Sequence, residues 1–191
     1  MLFSIHGGFW RATLRSLGGA QFCIMAISIF GFEVAAGNLA AVAAPIVDNN
    51  GDPGFALFPS SADWTFSSNP PVPGYLTTIH HNGAPGGSGA KQATWTFTGL
   101  APGNYQVAVT WTSNANRASN APYTILDNTT SVYSTTVNQQ NAPAANSVES
   151  GINFQNLGGP VTITSGTLVV RLTDNANGYV IADAVRIECV P

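Results

Sequence analysis

The side chains able to do chemistry are few and scattered. Asp183 lies in the run Tyr179-Val180-Ile181-Ala182-Asp183-Ala184-Val185-Arg186-Ile187, where alternation puts it in a row with Tyr179, Ile181, Val185 and Ile187. An acid in an apolar row needs a partner, because an unpaired buried carboxylate is costly. Arg117, in a loop of small polar residues, is the predicted partner, and a two-pronged contact would satisfy both. The preferred reading of Arg117 and Asp183 is a structural pair stapling a loop; a ligand-gripping arginine with an orienting acid is the alternative. Tyr75 follows a proline-rich loop, with His80 and His81 just after it. Together they form the predicted ligand-binding set, a patch in which Tyr75 and one histidine contact sugar. Successive strand residues point to opposite faces, so at most one histidine shares a face with Tyr75.

Other groups carry less. Asp48, Asn50 and Asp52 imitate the start of a calcium loop, but Pro53 and Pro59 stand where an EF-hand needs Gly and Glu. Asp174, Asn175 and Asn177 could supply oxygens, yet they also spell an ordinary turn. No metal-binding residue is assigned and no cofactor is expected; the sequence leaves room only for a structural calcium. Two adjacent histidines without further ligands do not make a zinc site. Gly86-Gly87-Ser88-Gly89-Ala90 lacks the final Gly and the strand-turn-helix setting of a nucleophile elbow. A glycosidase needs two carboxylates across a cleft, and no motif groups Asp127, Glu149, Asp174 and Glu188. No catalytic residue is assigned.

These residues sit on a chain built in two parts. Arg11 and Arg15 precede an apolar run from Phe22 to Phe32, and Ala41-Val42-Ala43 fits a small-residue cleavage site. That order is a secretory signal peptide, and about 11 apolar residues fall short of the roughly 20 that span a bilayer. The predicted division is a signal peptide over 1–43 and one domain over 44–191. An uncleaved N-terminal anchor is the rival reading. The domain holds four cations against eight acids, a formal charge of −4, with nothing basic concentrated. That argues against nucleic acid and against a membrane partner once the signal has gone. Only 8% of the chain is charged, against roughly 25% in ordinary soluble proteins. With Cys23 in the signal, Cys189 is expected to be a lone buried thiol.

Strand signals dominate the domain. Ala93, Trp95 and Phe97 alternate with threonines; Tyr105, Val107, Val109 and Trp111 form a second row; Leu168, Val170 and Leu172 form a third. This period of two, rich in β-branched and aromatic residues, predicts strands with one buried face. Weaker strands are predicted over 46–48, 63–67, 76–80, 123–126, 131–137, 151–155 and 161–164. Leu100-Ala101-Pro102-Gly103-Asn104 reads as the turn of an antiparallel hairpin between the first two rows. Trp64, Trp95 and Trp111 are predicted core. The fold class is all-β, a single antiparallel β-sandwich, jelly-roll-like, preceded by the signal peptide.

With the segments placed, the chain resembles the carbohydrate-binding-like domain family named after golvesin and the C-terminal region of xanthan lyase. The resemblance runs from about Ile46 to Glu188. It rests on Ile46-Val47-Asp48-Asn49 with Gly51-Asp52 and Trp64, and on Ala93-Thr94-Trp95-Thr96-Phe97, Leu100-Ala101-Pro102-Gly103 and Tyr105-Gln106-Val107. Asn116-Arg117-Ala118, Asn120-Ala121-Pro122-Tyr123-Thr124-Ile125, Val137-Asn138-Gln139-Gln140, Leu157-Gly158 and Ala182-Asp183-Ala184-Val185-Arg186 continue it in order. The resemblance implies a β-sandwich module of the kind attached to secreted enzymes or surface proteins. It carries over no ligand residue. No catalytic neighbour is seen here, so targeting of a fused enzyme is not expected. The function read from the sequence is a secreted, non-catalytic module at the cell surface or outside the cell, with polysaccharide or surface glycan as partner. The alternative is a structural surface or matrix protein acting by protein–protein contact, including self-association edge to edge. A polysaccharide-cleaving enzyme is the least favoured.

Overall fold

The computed structural model describes residues 44–68, 70 and 74–191. The predicted signal peptide therefore lies outside the described residues. Among the described residues the chain forms fourteen strands. These are β1 (Ile46–Val47), β2 (Phe55–Phe58), β3 (Thr65–Ser68), β4 (Thr78–His81), β5 (Gln92–Thr98), β6 (Gly103–Val109) and β7 (Ala121–Asp127). They continue as β8 (Thr130–Val137), β9 (Ser147–Glu149), β10 (Ile152–Asn156), β11 (Val161–Ile163), β12 (Thr167–Thr173), β13 (Ile181–Ala182) and β14 (Val185–Val190). Single 3-10 turns at Ser61–Asp63 and Tyr75–Thr77 complete the list of regular elements.

The strands form a sandwich. One sheet runs β1-β14-β6-β10-β9, with β11 also paired to β6, and the other runs β2-β5-β12-β7-β8. Every ladder is antiparallel. The inward rows of both sheets meet in one core: Ala93, Trp95 and Phe97 with Leu168, Val170 and Leu172 from one side, and Tyr105, Val107, Val109, Val185 and Ile187 from the other. Threonine, arginine and glutamine fill the alternate positions, which is how period-two patterning selects one buried face. Trp64, Trp95 and Trp111 are all buried, as their alternation predicts.

A third, small sheet, β13-β4-β3, adds Trp64, Ile79 and Ile181 to the same core. Outside the first sheet a second cluster forms around Ala108, Phe154 and Ala184, with Ile46, Tyr75 and Ile152 packed on it. That is why β6, unlike β5, is buried on both faces near its end.

Three sequence expectations are corrected here. The Pro102-Gly103 turn does not close a hairpin, because β5 pairs with β2 and β12 while β6 pairs with β14, β10 and β11. Turn residues reverse the chain; burial of both inward faces decides that it arches between sheets. The predicted final strand is broken. β13 belongs to the small sheet and β14 to the large one, and the residues from Val180 to Val185 are all buried. Alternation fails there because the chain crosses from one sheet to another. Cys189 is disulfide-bonded and not a free thiol, and it packs half-buried against the core.

Candidate functional site

The strand β4 organises the region because its two faces meet different surroundings. His80 lies opposite Phe66 of β3 in the ladder. Its ring is held between Phe66 (centroids 5.1 Å apart) and Phe55 (5.7 Å). Phe55 in turn leans on the buried Trp95 at 5.5 Å. Phe66 stays 49% exposed, and Phe58, on the same edge strand as Phe55, is 58% exposed. The result is a ridge of rings rooted in the core and open on its outer side.

A hydrogen-bond relay fixes the middle of that ridge. With the Asn49 amide oriented to satisfy its neighbours, its Oδ1 accepts from His80 Nδ1 at 3.0 Å, and its Nδ2 donates to Asp48 Oδ1 at 2.9 Å and to Thr78 O at 3.2 Å. His80 thus carries its proton on Nδ1 and offers Nε2 as an acceptor. Burial lowers the His80 pKa and the neighbouring His81 adds to the effect, which favours the neutral ring. Asp48 is buried, and burial pushes its carboxyl up to about 6 against the backbone N–H groups of Asn49 and Asn50.

Asp183 lies close by, 1% exposed. Its carboxyl accepts the Tyr75 N–H, at 3.1 Å to Oδ1 and 3.2 Å to Oδ2, and its backbone carbonyl accepts the Trp95 indole N–H at 3.0 Å. Burial holds the Asp183 pKa well above the carboxylate range, and the charge of Asp48 adds to the rise. Gly74 permits this contact: a Cβ there would stand 2.8 Å from Asp183 Oδ2 and 2.5 Å from Thr78 O. After Tyr75, Leu76 (φ 48) and Thr77 (φ 66) take left-handed backbone, costly for a β-branched threonine. The turn is held by Asp183 and by the Tyr75 ring, edge-on to Phe154 at 5.6 Å.

Arg117 and Asp183 are not a pair, which corrects the sequence reading. Arg117 donates from Nε to Thr112 O (3.4 Å) and from Nη1 to Asn116 Oδ1 (3.0 Å). The ion pairs among the described residues are those of Arg186 with Glu149 and Glu188. The break between β13 and β14 turns the Asp183 carboxyl toward the Tyr75 turn, and Arg117 spends its Nε and Nη1 within its own loop. The expected patch of Tyr75 with a histidine is also not formed as one unit. Tyr75 packs on Phe154, His80 on Phe55 and Phe66, and His81 edge-on to Tyr179 at 5.5 Å.

The remaining carboxylates are occupied locally. Asp127 accepts from the backbone and hydroxyls of Thr164 and Ser165, which hold its pKa below the usual range. Glu149 and Glu188 bind Arg186. Asp174 Oδ1 accepts the N–H groups of Gly89 (2.8 Å) and Lys91 (3.2 Å). The Asp48 segment closes on itself, with Asp52 Oδ2 accepting the Asp48 N–H at 2.9 Å. Among the described residues no group of three or more His, Cys, Asp or Glu side chains is placed to hold a metal ion.

Sequence reasoning missed Phe55, Phe66, Asn49 and Gln139. Gln139 is fully buried; it brackets Ile181 with bonds to its carbonyl (2.9 Å) and N–H (2.8 Å) and donates to the Tyr123 hydroxyl at 3.2 Å. The one available signal was a polar residue two positions after the strand ending at Val137. It is visible only when Ile181 is known to end nearby.

The fold and site so described correspond to a known class of β-sandwich domain. Residues 46–189 match the family described as the Golvesin C-terminal domain. The chain belongs to that family. No curated protein sequence matches it. Among solved structures it is similar to a Paenibacillus xanthan lyase, with 30% identity and a TM-score of 0.60 over 76% of this chain and 13% of that one. The chain thus spans a small part of that enzyme's length. Two looser likenesses are the C-terminal CBM6 of the laminarinase LamC from Zobellia galactanivorans (14% identity, TM-score 0.39, 65% of this chain, 87% of that one) and the catalytic domain of a GH87 alpha-1,3-glucanase (13%, 0.45, 77% and 28%).

Proposed function

We propose that this chain is a secreted, non-catalytic module that binds polysaccharide or surface glycan through the Phe55–His80–Phe66 ridge. One observation carries the reading: the Phe66 ring is half exposed while its inner side is fixed by His80, which Asn49 and Phe55 hold in turn. Sugar faces are apolar C–H surfaces that stack on rings, and a ring already immobilised loses little entropy on binding. His80 Nε2 supplies an acceptor for a sugar hydroxyl beside it. The carboxylates are bound to amides, hydroxyls or arginine, which supports a binding role over hydrolysis. Export follows from the N-terminal order of basic, apolar and small segments.

The test is affinity electrophoresis of the purified protein through gels containing a panel of polysaccharides. At least one polymer should retard it, and Phe66→Ala should reduce that retardation strongly without lowering the thermal unfolding midpoint appreciably. Retardation by no polymer, or unchanged retardation of the variant, would defeat the proposal.

A second reading is favoured by one feature. β8 is a sheet edge of eight residues with no charge and no proline, two of the features that block edge pairing, and its one irregularity is a bulge at Val132. Self-association through β8 would suit a surface or matrix role. Sedimentation at rising concentration tests it, with Thr135→Lys expected to abolish any dimer.

A further inference from the structure

The other face of β4 looks onto a different surface. The described domain is acidic, yet its lysine and arginines are unequally employed. Arg186 is neutralised by Glu149 and Glu188. Lys91 Nζ is consumed by two carbonyls, Asp63 O at 2.7 Å and Asn82 O at 2.8 Å. Arg117, like Arg171, has no carboxylate partner among the described residues. Its Nε and Nη1 are steadied by Thr112 O and Asn116 Oδ1, and Nη2 keeps its hydrogens for something else. Beside it the pKa of His81 is lowered by burial and then by the positive charges of Arg117 and Lys91.

The backbone sets this up. Arg117 and Tyr179 form a parallel bridge, with Ala118 N–H to Tyr179 O at 2.8 Å and Tyr179 N–H to Asn116 O at 3.2 Å. Gly178 allows the approach, since a Cβ there would meet Arg117 O at 2.7 Å. Gln140 Nε2 closes the other side, donating to Arg117 O at 3.0 Å. The Tyr179 ring is set edge-on against His81. The Thr112 hydroxyl, next to the carbonyl that steadies Arg117, is buried without a partner. A guanidinium fork, a tyrosine ring and a positive local field converge on a surface whose exposed neighbours, Asn114, Asn116, Ser119 and Asn120, are neutral.

We propose that Arg117, with Tyr179 and His81, is a second saccharide contact that takes a sugar carrying a carboxylate. The fork grips the two carboxylate oxygens and Tyr179 lies beside the sugar ring. This deepens the polysaccharide reading above and rests on it, naming acidic polymers as the preferred class. An acidic protein repels such polymers at long range, so any preference for them must arise at a local site.

The experiment compares polygalacturonate with the same polymer after reduction of its carboxyl groups, by affinity electrophoresis and calorimetry. The protein should bind the acidic form roughly tenfold more tightly, and the advantage should shrink between about 50 mM and about 500 mM salt. Arg117→Gln should remove the advantage and leave binding of the reduced polymer intact; Arg117→Lys should keep part of it. Equal affinity for the two polymers, or a full advantage in Arg117→Gln, would overturn the inference while leaving the Phe66 ridge standing. Binding of neither form, nor of any other polymer, would overturn both. Should Arg117→Gln fail to fold, the polymer comparison and salt dependence of the unaltered protein decide alone.

Discussion

On one side of β4, His80 is stacked between phenylalanines and hydrogen-bonded through Asn49 toward Asp48. On the other, His81 faces Tyr179 in the field of Arg117 and Lys91. The two residues are identical and adjacent, and strand geometry sends them to opposite faces. Both have lowered pKa values, for partly different reasons: burial and a second histidine for His80, burial and two cations for His81. The difference teaches that the small sheet β13-β4-β3 is a partition, with an apolar ridge on one side and a charged loop end on the other. The two sides carry the two contacts proposed above.

The largest break of this comparison is expected from removing the partition's anchor. Gln139→Ala leaves the Ile181 N–H and carbonyl and the Tyr123 hydroxyl without their partner in a dry interior. It should cost about 3 kcal/mol, read from chemical denaturation. A loss below about 1 kcal/mol would show that β13 is held by packing alone. Next in size, Phe66→Ala should weaken polymer binding about tenfold in calorimetry and change stability little, because half of that ring already faces solvent.

A smaller effect separates the two sides by pH. Asp48 has a folded pKa of about 6, raised from 3.8. The folded state therefore holds that proton more tightly than the unfolded chain, and stability falls as pH rises from about 4 to about 6. The histidines act in reverse. Their lowered pKa values mean that the unfolded chain takes protons first, so stability falls as pH drops below 6.5. Asp48→Asn should remove the Asp48 share of that fall in thermal unfolding midpoints, leaving the share of Asp183, which has the same sign, and the opposing share of the histidines. An unaltered profile would mean that Asp48 ionises freely in the folded protein. The smallest effect is expected from Arg117→Ala. With no ion pair to Asp183 to break, it should change stability by less than about 1 kcal/mol in denaturant unfolding. A loss of about 3 kcal/mol or more would restore the buried pair.

Much of the sandwich was legible. Ala93-Thr94-Trp95-Thr96-Phe97 and Leu168-Val169-Val170-Arg171-Leu172 alternate cleanly because each has one face inside and one outside. β2 and β9 were not legible. β2 has Phe-Ala-Leu-Phe, apolar at every position, and β9 has three residues, too few for a period to show. The candidate site was legible in fragments. His80 and His81 stood out by type, but Phe66 looked like an ordinary strand residue and Asn49 like part of a turn.

The sequence by itself determined that the domain is all-β, which rows face inward and that Trp64, Trp95 and Trp111 are core, because these follow from local alternation and hydrophobic burial. The tertiary structure alone decided the rest. It split the last strand at Asp183, sent β5 and β6 to different sheets, separated Arg117 from Asp183 and brought residues 49, 66 and 80 together. Those are contacts between segments distant in the chain. They are set by which surfaces must be covered to close the core, a constraint that no local window of residues contains.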